Sequence, residues 1–74
     1  MRTLKDAALG EKVIVKKVCA QGALKRRIVD MGITKGTTVQ IRRVAPLGDP
    51  IEINLRNYNL SIRKADAKNI WIEE

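Results

Sequence analysis

The chain has 74 residues, with 15 Lys and Arg against 8 Asp and Glu, a net charge of +7 and no histidine. That length fits one domain, residues 1–74, able to bury only about 60% of its unfolded surface. The longest uncharged run is the seven residues 18–24, far short of the ~20 apolar residues of a membrane-spanning helix. Without histidine, and with Cys19 as its one cysteine, the chain lacks the commonest general base, the commonest metal ligand and any internal disulfide.

In chain order, the opening "MRTLKDAALGEK" meets Asp6 and Glu11 before any apolar run, so it does not read as a secretory signal and a cytoplasmic location is the default. Thr3 and Asp6 have the spacing of a capping box and Gly10 supplies a stop, which predicts a short helix over residues 4–9. Apolar residues at 13, 14, 15 and 18 around Lys16 and Lys17 break strict alternation, as in a strand with a bulge. Cys19 follows and reads as a small buried hydrophobe. Leu24, Ile28 and Met31 recur at helical spacing, so residues 23–31 read as an amphipathic helix that Gly32 ends in the left-handed region. Val29 projects roughly opposite that stripe, beside Lys25 and Arg26.

A turn at Gly36 leads into "TTVQIRRV", where Val39 and Ile41 share one face of a half-buried strand. Ile51, Ile53 and Leu55 alternate with polar residues, and after a turn at Asn57 the alternation resumes at Tyr58, Leu60 and Ile62, forming a hairpin. "RKADAKN" allows one helical turn before a last strand with Ile70 and Ile72 on one face and Trp71 on the other. The fold class is therefore mainly β: about five short strands in a small closed barrel, with one amphipathic helix and short helical turns.

Both prolines of the chain fall in "VAPLGDPIEI", residues 44–53. Pro46 and Pro50 fix their own φ and push Ala45 and Asp49 toward extended conformations, while Gly48 permits the positive φ of a tight reversal. Such a loop sets hairpin register. It also holds Leu47 at its tip with little freedom left to lose, as a binding loop requires, unless Leu47 caps the barrel.

Three segments together resemble the FeoA family, small cytoplasmic accessory proteins of bacterial ferrous iron uptake with an SH3-like barrel: "RRIVDMGITKGT" (26–37), "VAPLGDPIEI" (44–53) and "LSIRKADAKNI" (60–70). The chain departs from the family pattern at Lys35, where proline is frequent, and at Asn57, where glycine is frequent; Asn tolerates positive φ best among the other residues. The resemblance implies a partner, the membrane transporter of the same uptake system with its cytoplasmic GTP-binding domain. The accessory would assemble it or tune its turnover, working at the inner face of the cell membrane. It also implies a likeness to the barrel of iron-dependent repressors, and thus an alternative regulatory role.

Two elements are the candidate partner-binding surface: Lys25, Arg26 and Val29 on the helix, and Ala45, Pro46, Leu47, Gly48, Asp49 and Pro50 in the loop. Gly32, Gly36 and Asn57 are structural turns. Lys16, Lys17, Arg42, Arg43, Arg56, Arg63 and Lys64 read as a solvated basic face suited to an anionic membrane surface. Nucleic acid is the chief rival and is disfavoured, because Tyr58 and Trp71 are the only aromatics on which bases could stack. No metal site or cofactor is expected: Cys19, Asp30, Asp49 and the terminal glutamates lack ligand spacing and allow at most weak transition-metal binding. No paired nucleophile and base, phosphate loop or metal motif marks an enzyme.

Overall fold

The structure is a computed structural model and describes residues 2–73. Its elements run β1 (Arg2–Thr3), a 3-10 turn (Leu4–Asp6), β2 (Lys12–Val18), α1 (Gly22–Asp30), β3 (Thr38–Val44), β4 (Ile51–Leu55), β5 (Tyr58–Ile62), α2 (Lys64–Ala67) and β6 (Ile70–Ile72). The strands form one antiparallel six-stranded sheet in the order β1-β6-β2-β3-β4-β5. It curls around a core of β-branched side chains, Val13, Val15, Val39, Ile41, Ile51, Ile53, Ile62, Ile70 and Ile72, all nearly or fully buried. Branching at Cβ restricts χ1 and suits the pleated surface, so the composition that makes strands also makes the core.

The mainly β, barrel-like architecture is as expected, and two details of the sheet differ. A sixth strand, β1, adds Arg2 and Thr3 against Ile72 and Trp71; two residues carry no alternation to read. The barrel is also not closed by hydrogen bonds: β1 and β5 end the strand order, with no ladder joining them among the described residues.

The 4–9 helix shrinks to the single 3-10 turn, after which Ala7 is extended (φ −70°, ψ 144°). The Asp6 carboxylate accepts from both the Thr3 N–H (3.0 Å) and its hydroxyl (3.1 Å), so the capping residues are correctly placed. Leu9, however, is 67% exposed and has no core contact to hold a second turn.

The amphipathic helix starts and ends one residue earlier than expected, at 22 and 30. Ile28 is fully buried, with Leu24 and Met31 half-buried against the same core. The expected irregularity in β2 is a register shift between Val15 and Lys17 against β6. Arg56 and Asn57 both take positive φ, 50° and 69°, in the two-residue turn between β4 and β5. Tyr58 has the parity of Ile62 but is 43% exposed. Its hydroxyl instead donates to the Met31 carbonyl at 2.9 Å, pinning the end of α1. Cys19 is half-buried rather than buried.

Candidate docking surface

The loop of residues 45–50 is tied at three points. The Ala45 N–H donates to the Pro50 carbonyl (3.1 Å), closing the base, and the Gly48 N–H donates to the Ala45 carbonyl (2.7 Å), closing a β-turn. Pro46 occupies the second position of that turn and Gly48 the fourth, the places those residues favour. Gly48 has φ 81°, and the Asp49–Pro50 peptide is cis. The third tie is Asp49, whose Oδ1 accepts the Lys64 N–H at 3.0 Å. That N–H opens α2 and has no partner within the helix, so a carboxylate from a distant loop caps it.

Leu47 stands at the turn's apex and is 91% exposed. It does not cap the barrel. A large aliphatic side chain on a backbone fixed on both sides loses little further entropy when a partner covers it.

α2 connects this loop to the helix. Asp49 holds its first residue, and Asp66 accepts from Arg27 of α1 at 2.9 Å. Two open grooves run along this side. One is lined by Arg43, Ala45, Pro46 and Pro50, the other by Arg27, Met31, Arg63 and Asp66, and Ser61 of the edge strand β5 lines both. The surface from the proline loop to α1 is therefore continuous.

Of the helix residues singled out in the sequence, Lys25, Arg26 and Val29 are exposed, Val29 by 39%. They lie on α1's outer side, and none lines the two grooves that meet at Ser61. Lys25 instead borders a separate groove with Lys17 and Cys19. The groove residues that sequence reasoning did not place in a site include Arg27, Met31, Arg43, Ser61, Arg63 and Asp66. For Ser61 a signal existed: it is the outward residue between Leu60 and Ile62 on a strand. Gly32, Gly36 and Asn57 sit at their expected turns with φ of 91°, 88° and 69°.

Charge is unevenly balanced. Arg2 donates to both Glu11 oxygens at 2.8 Å, and this pairing, with the Ala8 N–H, lowers the Glu11 carboxyl to about 2. Backbone and side-chain donation from Thr3 likewise lowers Asp6. Arg43 approaches Glu52 only to 3.9 Å. Lys16, Lys17, Arg42, Arg56, Arg63 and Lys64 are exposed, as expected of a solvated basic face. Among the described residues no three His, Cys, Asp or Glu side chains converge as metal ligands; Asp30 ends α1, whereas Cys19 and Asp49 lie in two different connections, and Glu74 is outside the described residues. Lys17 stands 5.7 Å from the Trp71 ring centre, occupying one of the two aromatics a base would need. No helix among the described residues is long and apolar enough to cross a membrane.

A FeoA domain profile matches residues 2–74. A Porphyromonas gingivalis Fe(2+) transport protein A/Fe(2+) transporter FeoB fusion protein is 33% identical over 95% of this chain, which spans only 8% of that protein. The solution structure of a FeoA-like protein from Clostridium acetobutylicum superposes with a TM-score of 0.89 at 42% identity, covering 96% of this chain and 83% of that one. The crystal structure of Stenotrophomonas maltophilia FeoA complexed with zinc, described as a prokaryotic SH3 domain protein, has a TM-score of 0.86 at 25% identity and covers 99% and 91%.

Proposed function

The chain belongs to the FeoA domain family, and on that premise we propose that it is a non-enzymatic cytoplasmic accessory of ferrous iron uptake that docks on the cytoplasmic region of the GTPase-coupled transporter. The observation that carries this reading is Leu47, 91% exposed at the apex of a loop tied at both ends and to α2. The fused relative supports it, because one polypeptide there joins a transport protein A to an FeoB transporter, and tethering raises the effective concentration of one for the other.

Ala45 to Pro50 supply the primary contact, and Lys25, Arg26 and Val29 on α1 the secondary one. With no histidine in the chain and no chemistry assigned to it, the domain acts by binding. It biases the transporter's conformational populations by contacting one state more tightly than another.

Titration of the protein into the transporter's purified cytoplasmic region tests this, with single-stranded DNA as the competing arm. Leu47→Asp removes an apolar contact worth about 1.5–3 kcal/mol when fully covered, so affinity falls roughly tenfold to a hundredfold while the fold persists. Binding to DNA alone, or an affinity that Leu47→Asp leaves unchanged, rejects the loop as the docking element.

A further inference from the structure

We propose that the outer face of β2, β3 and β4, at the end of the sheet away from the proline loop, is a contact site for an anionic lipid surface. Two adjoining shallow grooves lie there. Lys35 and Thr34 line one, Lys12, Gln40 and Asn54 the other, and both share Thr38 and Arg56. Among the described residues no carboxylate lines either groove, so three cations converge there with hydroxyl and amide groups; of the flanking acids, Glu11 is paired with Arg2 and Glu73 lies beside Ile14 through its N–H.

The polar row is built by register: Lys12 pairs with Gln40, and Gln40 with Asn54. Two aliphatic side chains flank it without cover. Ile14, opposite Thr38 in the ladder, is 41% exposed. Leu9 is 67% exposed in the turn whose Gly10 carbonyl accepts the Gln40 amide at 3.3 Å.

Cations around exposed aliphatics match the layering of a bilayer interface, where phosphates lie above acyl chains. A nucleic acid would need stacking platforms, but Tyr58 and Trp71 line neither groove. Thr38 and Val44 are the two ends of β3, six residues and about 20 Å apart at strand rise. A domain resting on lipid through this face leaves Leu47 free for a protein partner. The inference goes beyond the docking reading, since lipid contact requires no transporter.

Sedimentation with vesicles of phosphatidylglycerol and phosphatidylcholine, about one to one, tests it; each cation near such a surface contributes about fivefold in affinity. Binding is expected to fall as salt is added. The triple variant Lys12→Gln, Lys35→Gln, Arg56→Gln should lose about a hundredfold on the same per-charge scale. A control triple, Lys5→Gln, Lys25→Gln, Lys68→Gln, should lose less than about tenfold, because those charges lie elsewhere.

Equal losses in the two triples, equal binding to pure phosphatidylcholine, or a preference for an RNA oligonucleotide or polyglutamate over the vesicles would each overturn the proposal. A wild-type readout removes dependence on folding of the variants: a paramagnetic lipid should broaden the amides of Ile14, Lys35 and Thr38 before that of Leu47, and the reverse order refutes the assignment. Both experiments omit the transporter, so this contact and the Leu47 contact stand or fall separately.

Discussion

Asp49 of the proline loop caps α2 by accepting the Lys64 N–H at 3.0 Å, across fifteen residues of chain. One carboxylate thus fixes a loop and starts a helix of only four residues, Lys64–Ala67, too short to persist without outside support. Removing a cap of this kind costs about 1 kcal/mol. Asp49→Ala should therefore lower the melting temperature by about 4–8 °C in a domain of this size. Asp49→Asn, which keeps an acceptor oxygen, should restore most of it. Equal losses in the two variants would assign the effect to charge rather than to the cap.

Gly32 ends α1 with φ 91°, and a Cβ added there would meet the Tyr58 hydroxyl at 3.0 Å. Gly32→Ala therefore suffers twice: from a left-handed backbone and from displacement of the donor that holds the Met31 carbonyl. Together these cost about 2 kcal/mol, or roughly 10 °C of melting temperature. Tyr58→Phe in the Gly32→Ala background removes the nearest clash, so the double variant should be more stable than the sum of the singles implies. Strict additivity in thermal melts would show that the ring and the turn are uncoupled.

Glu11 gives a pH prediction with a definite sign. Donation from Arg2 and from the Ala8 N–H lowers its carboxyl from an ordinary 4.5 to about 2. The folded state thus binds this proton less readily than the unfolded chain, and the stabilisation is fully present above about pH 4.5. It fades as the pH falls from there toward 2, being lost through the folded-state value. Glu11→Gln should flatten that part of the stability curve in denaturant titrations between pH 5 and 2, to the extent that Asp6, also lowered, does not supply the remainder. A variant with the wild-type slope would mean that the Arg2 pairing contributes nothing in solution.

What could be read from the residues followed the strength of periodic signals. β4 alternates throughout and β3 from Thr38 to Ile41, so their buried faces and the Asn57 turn emerge as expected, whereas β5 buries only Ile62 fully and the register of β3 shifts after Ile41. The segment after Thr3 misled, since Ala7, Ala8 and Leu9 look like helix formers; with Leu9 in solvent, no packing favours helix over turn. The insertion of β6 between β1 and β2 joins chain ends some seventy residues apart in sequence, and no local pattern encodes a pairing of that separation. The same reason hid the grooves at Ser61: Arg43 of β3 borders one and Arg27 of α1 with Arg63 the other, and residues so far apart in sequence meet there only through the tertiary fold. Leu47, by contrast, was legible as a tip residue because the prolines and glycine around it specify the turn locally.

The adjacent pair Ile28 and Val29 separates packing from docking on one helix. Ile28 is fully buried, so Ile28→Ala leaves a cavity and costs about 2–5 kcal/mol, a large share of the ~4–11 kcal/mol available to a domain of this length. Thermal unfolding should begin near room temperature or the melting point should drop by well over 10 °C. Val29 is 39% exposed and projects away from the core, so Val29→Asp should change stability by less than about 0.5 kcal/mol. Its effect should appear in binding to the transporter's cytoplasmic region, as a several-fold loss smaller than that of Leu47→Asp. Combining the two substitutions then reports whether one partner spans both elements: losses that multiply place loop and helix in a single interface without direct coupling. An unchanged affinity for Val29→Asp, with Leu47→Asp still defective, would confine docking to the proline loop and the grooves that meet at Ser61.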